Sequence, residues 1–468
     1  MLIKKIDSYF RLNDMKTTIR QEFIGGLVSF VSILYILSVN PTMLGTAPSI
    51  NGDEILMSSG GVFIATAITI IVSTLILGLF ANVPIVAAPG MGLNAMFAFS
   101  LARSGIGYEG ALVACMIGSI LFFALSITPA RLAIIYAMPE QLHMAISVAV
   151  GFFIAYVGLT SMHVFEAPTG IPVAELSNFG DMWLTLLLSF STLFLILFFH
   201  IKNIKGGIIF ALLIMMVPTL ILANIPGLQE NNIIVEGGLD AAKWKGWSYD
   251  DFSGFSMNIE NTWKQISNTE IWTSPTFYLS ILTMLFLSFF DSTGTQLVAV
   301  SKLSEELETE IKISKKQVIS DSLGSVIGSA TGTSPTTAFL ESTIGISSGA
   351  RTGLSAVFTA GMFALAIPLF PIFQMIPTAL TGAASVYVGT LMISNIGKIN
   401  WKNYAISTMT FIMILLMVTT FSITNGIGFG VIFYVILEVM YKRAKEIKPM
   451  LWVLAIAFAI YFIALIWN

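Results

Sequence analysis

An all-α polytopic membrane protein of fourteen transmembrane spans, arranged as two inverted seven-span repeats, is the fold that this sequence predicts. Three observations predict it: a hydropathy far outside the soluble range, a one-sided distribution of Lys and Arg, and an internal repeat with an odd number of spans. Of 468 residues, 56% are hydrophobic and 10% charged, and the mean hydropathy is +0.86. Soluble chains carry roughly 25% charged residues. The net charge of −3 says little about partners, because in such a chain the position of each charge matters more than the sum.

A helix needs about 20 apolar residues to cross the roughly 30 Å hydrocarbon layer. Fourteen stretches qualify, some of them short or interrupted: 23–43, 60–80, 84–103, 109–128, 140–162, 183–200, 206–224, 275–300, 317–332, 335–347, 353–371, 376–396, 403–421 and 425–441. The first twenty or so residues are polar and amphipathic, without the apolar core of a secretion signal, so the N-terminus is expected in the cytoplasm. Alternating through fourteen spans from there puts nineteen Lys and Arg inside and only Arg103, Lys243, Lys245 and Lys264 outside. One span more or fewer would scramble that partition. The longest loop, about 224–273, then lies outside. A last apolar stretch, Met450 to Trp467, follows a basic linker, and its composition suits both crossing and lying along the interface.

The repeat is carried by Pro139–Gly151 and Pro377–Gly389, which align without a gap at an offset of 238 with seven identities in thirteen positions. Weaker pairs are Val28–Ser32 with Leu287–Asp291, Gly207–Phe210 with Gly426–Phe429, and Pro89 with Pro335. Seven spans is an odd number, so the second copy enters the membrane from the opposite side. Inverted repeats of this kind hold their site near the midplane, where short, Gly/Pro-interrupted helices of the two halves meet. Here those segments are Val83–Ala95 and Gly332–Ser342, which break spans 3 and 10 with short extended stretches.

Glu341, in the second broken segment, and Asp291, in the eighth span, are ionisable groups where hydrocarbon would otherwise surround them. Such groups mark solute or ion pathways by default. Ser288, Asp291, Ser292 and Thr295 recur at helical spacing, so one face of span 8 is polar and must meet protein or cavity rather than lipid. At Pro89 and Pro335 a helix that restarts leaves backbone N–H groups for a ligand acceptor. Free donors beside two carboxylates suit a flat heterocycle with N–H, C=O or ring-nitrogen groups on its edge. Asn94, Thr336 and Thr337 could read that edge, Ser288 could assist, and Phe97 and Phe339 could stack on its faces. A carboxylate withdrawn from water binds a proton more readily, so Asp291 or Glu341 could couple proton movement to the solute, with Asp321 a third candidate.

Plainer roles compete. A membrane carboxylate can serve only to hydrogen-bond a neighbouring helix, and Asp321 could partner nearby lysines at a helix terminus. Asn94 could equally cap the broken helix. Glu140 and Glu438 read as interfacial, and His143, His163 and His200 as polar span-end residues. One cysteine, Cys115, excludes an internal disulfide, and three scattered histidines form no metal site. Phosphate-cradling glycine motifs of nucleotide enzymes do not occur, and no cofactor or nucleic-acid partner is implied.

At Ala88–Ala95 (APGMGLNA), Phe289–Thr295 (FFDSTGT) and Asp321–Val357 (DSLGSVIGSATGTSPTTAFLESTIGISSGARTGLSAV) the chain resembles the nucleobase-ascorbate transporter family, also called the second nucleobase:cation symporter family, in its azaguanine-type purine permease branch. The resemblance runs over nearly the whole chain. It implies a core domain of spans 1–4 and 8–11 (23–128 and 274–373) and a gate domain of spans 5–7 and 12–14 (129–224 and 374–442). Residues 1–22 would be a cytoplasmic segment, 225–273 an extracellular loop and 443–468 the basic linker with its apolar tail. The family's eighth-span acid falls on Asp291 and its tenth-span glutamate on Glu341.

The implied activity is import of adenine, guanine or hypoxanthine across the cytoplasmic membrane with a proton, or sodium in its place, as the core slides against the gate. Pairing of two copies through their gates is also implied. Pro335, Ala338 and Phe339 depart from the branch pattern, and Ser288 stands where many members carry a second acid. Three rival readings compete. A sulfate-type anion carrier of the same fold would need positive charge near the broken segments, where only Arg103 and Arg351 lie at the membrane edge. An intramembrane hydrolase using Asp291 and Glu341 would not need an inverted repeat, and a channel does not need a tight paired-carboxylate site.

Overall fold

The computed structural model describes residues 2–129, 131–132, 140–166, 175–177, 179–223, 253–267, 269–420 and 423–466. The N-terminal segment is a short amphipathic helix, α1 (Leu2–Phe10), and Thr18 then caps α2 (Ile19–Ile33), so the first membrane helix starts a turn earlier than hydropathy suggests. It continues past Tyr35 into α3 (Ile36–Leu44), which contains Pro41. The hairpin β1 (Pro48–Ser49) and β2 (Gly52–Leu56) leads to α4 (Ser59–Ile76). Strand β3 (Ala87–Pro89), α5 (Met91–Ala95) and a π-helical run Met96–Ile106 follow. Non-helical Ser104 and Gly105, the latter at φ +90°, break that run just before α6 (Gly107–Ile127).

Next come α7 (Glu140–Ser161), the short pair β4 (Phe165–Glu166) and β5 (Glu175–Leu176), α8 (Phe179–Ile201) and α9 (Gly207–Ala223). The expected outer loop is only partly a loop: α10 (Ser253–Ile266) and α11 (Thr269–Thr273) lie within it, and Asn258 clamps α10 to Ser58 through both its amide atoms. Residues 224–252 of that loop fall outside the described part. The second half holds the long α12 (Pro275–Leu307), α13 (Lys315–Ala330), β6 (Thr336–Ala338), α14 (Ser342–Ser347), α15 (Gly353–Ala366) and α16 (Phe370–Gln374). It closes with α17 (Thr378–Ile393), α18 (Tyr404–Thr419), α19 (Ile423–Met440) and α20 (Pro449–Ile466).

Every stretch expected to span thus carries a helix, or a strand with a short helix. Among the described residues eight helical stretches are long and apolar enough to cross a membrane, and Met91–Ile127 counts as one of the eight although it covers two of the expected spans. Four further apolar helices are shorter. Large apolar side chains face outward, as Leu187, Phe194, Phe198 and Ile201 do on α8, which suits a lipid solvent and not water. The terminal α20 lies against the bundle: Leu451, Leu454 and Phe458 are buried while Val453, Ile456, Ile460 and Ile463 point out. Phe458 meets Phe286 of α12, and Phe462 meets Phe429 of α19.

The strongest sequence repeat is also the most extensive helix contact, α7 on α17. A Cβ on Gly151 would come within 2.9 Å of the Gly389 carbonyl oxygen, and one on Gly389 within 2.6 Å of the Gly151 oxygen. These equivalent glycines let the helices touch backbone to backbone, as small residues do in membrane packing. Gly389→Leu is therefore expected to separate α7 from α17 and cost about 1–3 kcal/mol or more. Thermal unfolding of detergent-purified protein checks this, with Gly361→Ala, whose Cβ would meet nothing within 4 Å, expected to leave the midpoint unchanged or slightly raised.

Candidate functional site

The two broken segments meet. Strands β3 and β6 pair antiparallel, Ala87 opposite Ala338, Ala88 opposite Thr337 and Pro89 opposite Thr336. The ladder extends at both ends, from Gly90 N–H to the Pro335 oxygen (3.2 Å) and from Phe339 N–H to the Val86 oxygen (2.9 Å). Extended backbone inside an apolar bundle must find every partner within the protein. Hydroxyls on the flanking helices supply them: Thr74 Oγ1 accepts from Ala87 N–H and Ser342 Oγ from Val86 N–H, while Ser325 Oγ donates to the Thr336 oxygen. The small polar residues that interrupt the apolar pattern are thus the seat of the crossing.

Beside it opens a cavity of about 590 Å³, within the roughly 300–1,000 Å³ of small-molecule sites. One wall is α12, through Leu287, Phe290, Asp291, Gly294, Thr295 and Val298. The facing wall is α7, through Met144, Ile146, Ser147 and Val150, with Met392 of α17. Gly92 and Leu340, one from each broken segment, also line it, and so do Lys302, Glu305 and Lys398. Asp291 is half-buried. Thr337 of β6 hydrogen-bonds its carboxylate, and Gly90 leaves the space it occupies, since a Cβ there would lie 2.9 Å from Asp291 Oδ2 and 3.1 Å from Thr337 Oγ1.

The other expected site residues are placed differently. Glu341 precedes α14, 8% exposed, and accepts a 2.9 Å hydrogen bond from the hydroxyl of the fully buried Tyr35. Asn94 is buried, with its amide oxygen taking the Ser334 hydroxyl, so it ties the two broken segments together. Phe97 and Phe339 are buried and absent from the cavity lining, which among the described residues has one aromatic, the likewise buried Phe290. Thr336 sits inside the strand pair with its Oγ1 unpartnered, and the buried Ser288 hydroxyl is likewise unpartnered.

The polar face expected on span 8 divides. Asp291 and Thr295 border the cavity, while Ser292 turns to Asp321. Asp321 pairs not with the nearby lysines but with Arg131, 2.7 Å away, both side chains fully buried. Glu438 is buried and ion-paired with Arg443, and so is not an exposed interfacial group. His200 shares a 2.8 Å hydrogen bond with Tyr387 of α17. No group of His, Cys, Asp and Glu that could hold a metal occurs among the described residues.

Tyr35, Gly90, Phe290, Gly294 and Arg131 escaped the reading of the sequence. One signal was available for two of them: the repeat register that sets Ser32 against Asp291 also sets Tyr35 against Gly294.

A cavity walled by repeat-related helices and ending where two interrupted helices cross is the arrangement of a secondary transporter. Residues 20–429 match a family model described as Permease family, and the chain belongs to that family, the nucleobase-ascorbate transporters. It is a multi-pass membrane transporter and not an enzyme. Guanine/hypoxanthine permease PbuG of Bacillus subtilis is 32% identical, the alignment covering 98% of this chain and 99% of that protein. Adenine permease AdeP of Escherichia coli is 31% identical over 97% of this chain and 95% of its own. Among solved structures, the transmembrane domain of the cyanobacterial bicarbonate transporter BicA is similar with a TM-score of 0.58, at 16% identity over 89% of this chain and 97% of that one. Murine Slc26a9, an anion transporter in an inward-facing state, gives a TM-score of 0.59 at 11% identity, over 91% and 69% of the respective chains. These likenesses define the fold alone.

Cavity access has a direct readout, because the sole cysteine, Cys115, is buried. Gly294→Cys and Ser301→Cys, both on the cavity wall, are expected to react with a water-soluble maleimide in detergent. Ser320→Cys, at a wholly buried position, is expected to stay unlabelled over the same time.

Proposed function

We propose that this chain imports purine nucleobases such as adenine, guanine and hypoxanthine across the cytoplasmic membrane by proton symport. The observation that carries the reading is Asp291, a half-buried carboxylate on the cavity wall, held by Thr337 at the crossing of the two broken segments. A carboxylate there accepts N–H groups from a heterocycle edge and holds a proton when uncompensated. Phe290 lies on the same wall, an aromatic residue beside which a planar base would bind. The names of the purine permeases aligned along almost the full chain support the same substrate class.

In this reading the fourteen spans divide into the core, 23–128 and 274–373, and the gate, 129–224 and 374–442. The cavity runs between core helix α12 and gate helices α7 and α17, so sliding of core past gate would carry Asp291 from one membrane face to the other. Lys302 and Lys398 line the cavity and belong to the Lys/Arg-rich side, which the charge rule places in the cytoplasm together with the N-terminus. The cavity is then the inward-facing state. Glu341, its carboxylate bonded to Tyr35, is the second proton-coupling candidate, and Asp321 contributes through its buried pair. Two copies would associate through their gate domains.

An anion carrier is the weaker reading. The carboxylate beside the crossing would repel an anion, and Arg131, the buried cation nearby, is already matched by Asp321.

Uptake of labelled adenine, guanine and hypoxanthine by cells lacking their own purine carriers tests the proposal. Uptake driven by an inward proton gradient and unaffected by excess sulfate is expected. Asp291→Asn and Glu341→Gln should each lower apparent affinity roughly tenfold or more, about 1.4 kcal/mol of binding, and flatten the dependence on pH. No uptake of any of the three bases at any pH would sink it.

A further inference from the structure

Arg131 lies just after α6, on the connection to α7, yet its side chain is wholly buried. Its Nη2 is 2.7 Å from Asp321 Oδ2 and 2.9 Å from Ser292 Oγ, and its Nη1 reaches Ser126 Oγ at 3.0 Å and the Val318 carbonyl at 2.5 Å. The guanidinium also lies over the Phe122 ring, 4.2 Å from its centre. Ser292 Oγ donates to Asp321 and accepts from Gln296, whose amide oxygen takes Gln317 Nε2. Arginine with a carboxylate and a planar ring is the combination best suited to a buried cation.

A buried pair of this kind is weak evidence for stability, because neutral side chains of similar volume often serve as well, whereas removing one partner is costly. Its location says more. Ser292 is the residue after Asp291 on α12, and its hydroxyl donates to Asp321, so the pair is anchored on the turn of helix that carries the cavity acid. Without the guanidinium, a second negative charge would stand directly behind the cavity acid. The pair also joins the segment between core and gate to the back of the site.

We infer that Arg131 is a positioning residue for the solute site: by neutralising Asp321 it leaves Asp291 as the acid that exchanges a proton with the cavity, and so sets the pH range over which solute is bound. The inference rests on the proton-coupled reading above. Other charged groups on the elements around Asp291 are Lys302 and Glu305 further along α12 and Lys398 after α17, all lining the same cavity, and Glu341, which precedes α14. Among the described side chains of the remaining neighbours, Glu109 of α6 is bound to Ser49 and Ile50, and Arg103 of the π-helical run lies over Phe99. Strands β3 and β6 and helix α5 carry none, and α7 carries Glu140 and His143 in its first turn.

Binding of labelled hypoxanthine and adenine to purified protein across pH tests this on the parent, Arg131→Met, Arg131→Lys, Asp321→Asn and the double Arg131→Met/Asp321→Asn. Base binding coupled to proton uptake weakens as pH rises. Arg131→Met exposes Asp291 to the bare charge of Asp321, and the half-binding pH is expected to rise by about one unit. Asp321→Asn leaves the cation unmatched, and a fall of similar size is expected. The double variant should return close to the parent and Arg131→Lys should stay near it.

A purely structural pair would weaken binding in both single variants without moving either profile in opposite directions, and that result overturns the inference while sparing the transport reading. If Arg131→Met does not fold, the fall in Asp321→Asn and its cancellation in the double variant carry the test, and their absence overturns it equally. A parent that binds neither base at any pH overturns the purine reading, and this inference with it.

Discussion

Everything near the cavity depends on the antiparallel contact of β3 and β6 in the middle of an apolar bundle. Two chain segments leave helical geometry there, and in such surroundings their backbone groups must be paired by each other or by neighbouring side chains. Each strand pairs part of the other's ladder, and Thr74, Ser325 and Ser342 take up the remainder. That requirement explains a run of small hydroxylated residues through α13 and into β6, where a membrane helix would ordinarily be aliphatic. It also explains why Gly90 and Gly92 stand at the restart of the first broken helix: one makes room for Asp291 and the other opens to the cavity.

Three other buried acids are tied into the architecture. Glu22 accepts N–H bonds from Arg351, Thr352 and Ser355 at the start of α15, which joins α2 to a helix remote from it in sequence. Glu109 fastens the β1–β2 hairpin through Ser49 and Ile50, and Asp321 is matched by Arg131. Set against these committed groups, Asp291 stands out as a carboxylate with one hydroxyl partner and an open side toward the cavity. A pathway acid needs that incompleteness, because a fully satisfied carboxylate has nothing left to offer a solute or a proton.

Legibility in the sequence followed the range of the interaction. Helical stretches, the repeat and both broken segments were readable because hydropathy, Pro and Gly act locally. The Gly151 and Gly389 contact was implicit in the aligned repeat, although nothing in either segment said that the two copies would lie on each other. Phe97 and Phe339 were chosen as stacking rings by nearness in sequence to the broken segments, whereas the aromatic residue in the described cavity lining is Phe290 of α12, itself buried. Helical phase on a long apolar helix with neighbours on several sides does not say which residue faces an opening. The helix α10 was hidden inside a polar loop because its support is tertiary, through Asn258 and Ser58.

By itself the chain determined that it lives in a bilayer, that some of its segments repeat one another, and that Asp291 and Glu341 are out of place unless they serve a site. Those conclusions need only composition, periodicity and the cost of charge in hydrocarbon. The tertiary structure alone decided which acid meets the cavity, that Glu341 is held by Tyr35, and that Asp321 is neutralised by Arg131 across 190 residues of chain. The physical reason is that charge compensation and cavity shape are set by distances between segments remote in sequence, which no local pattern records.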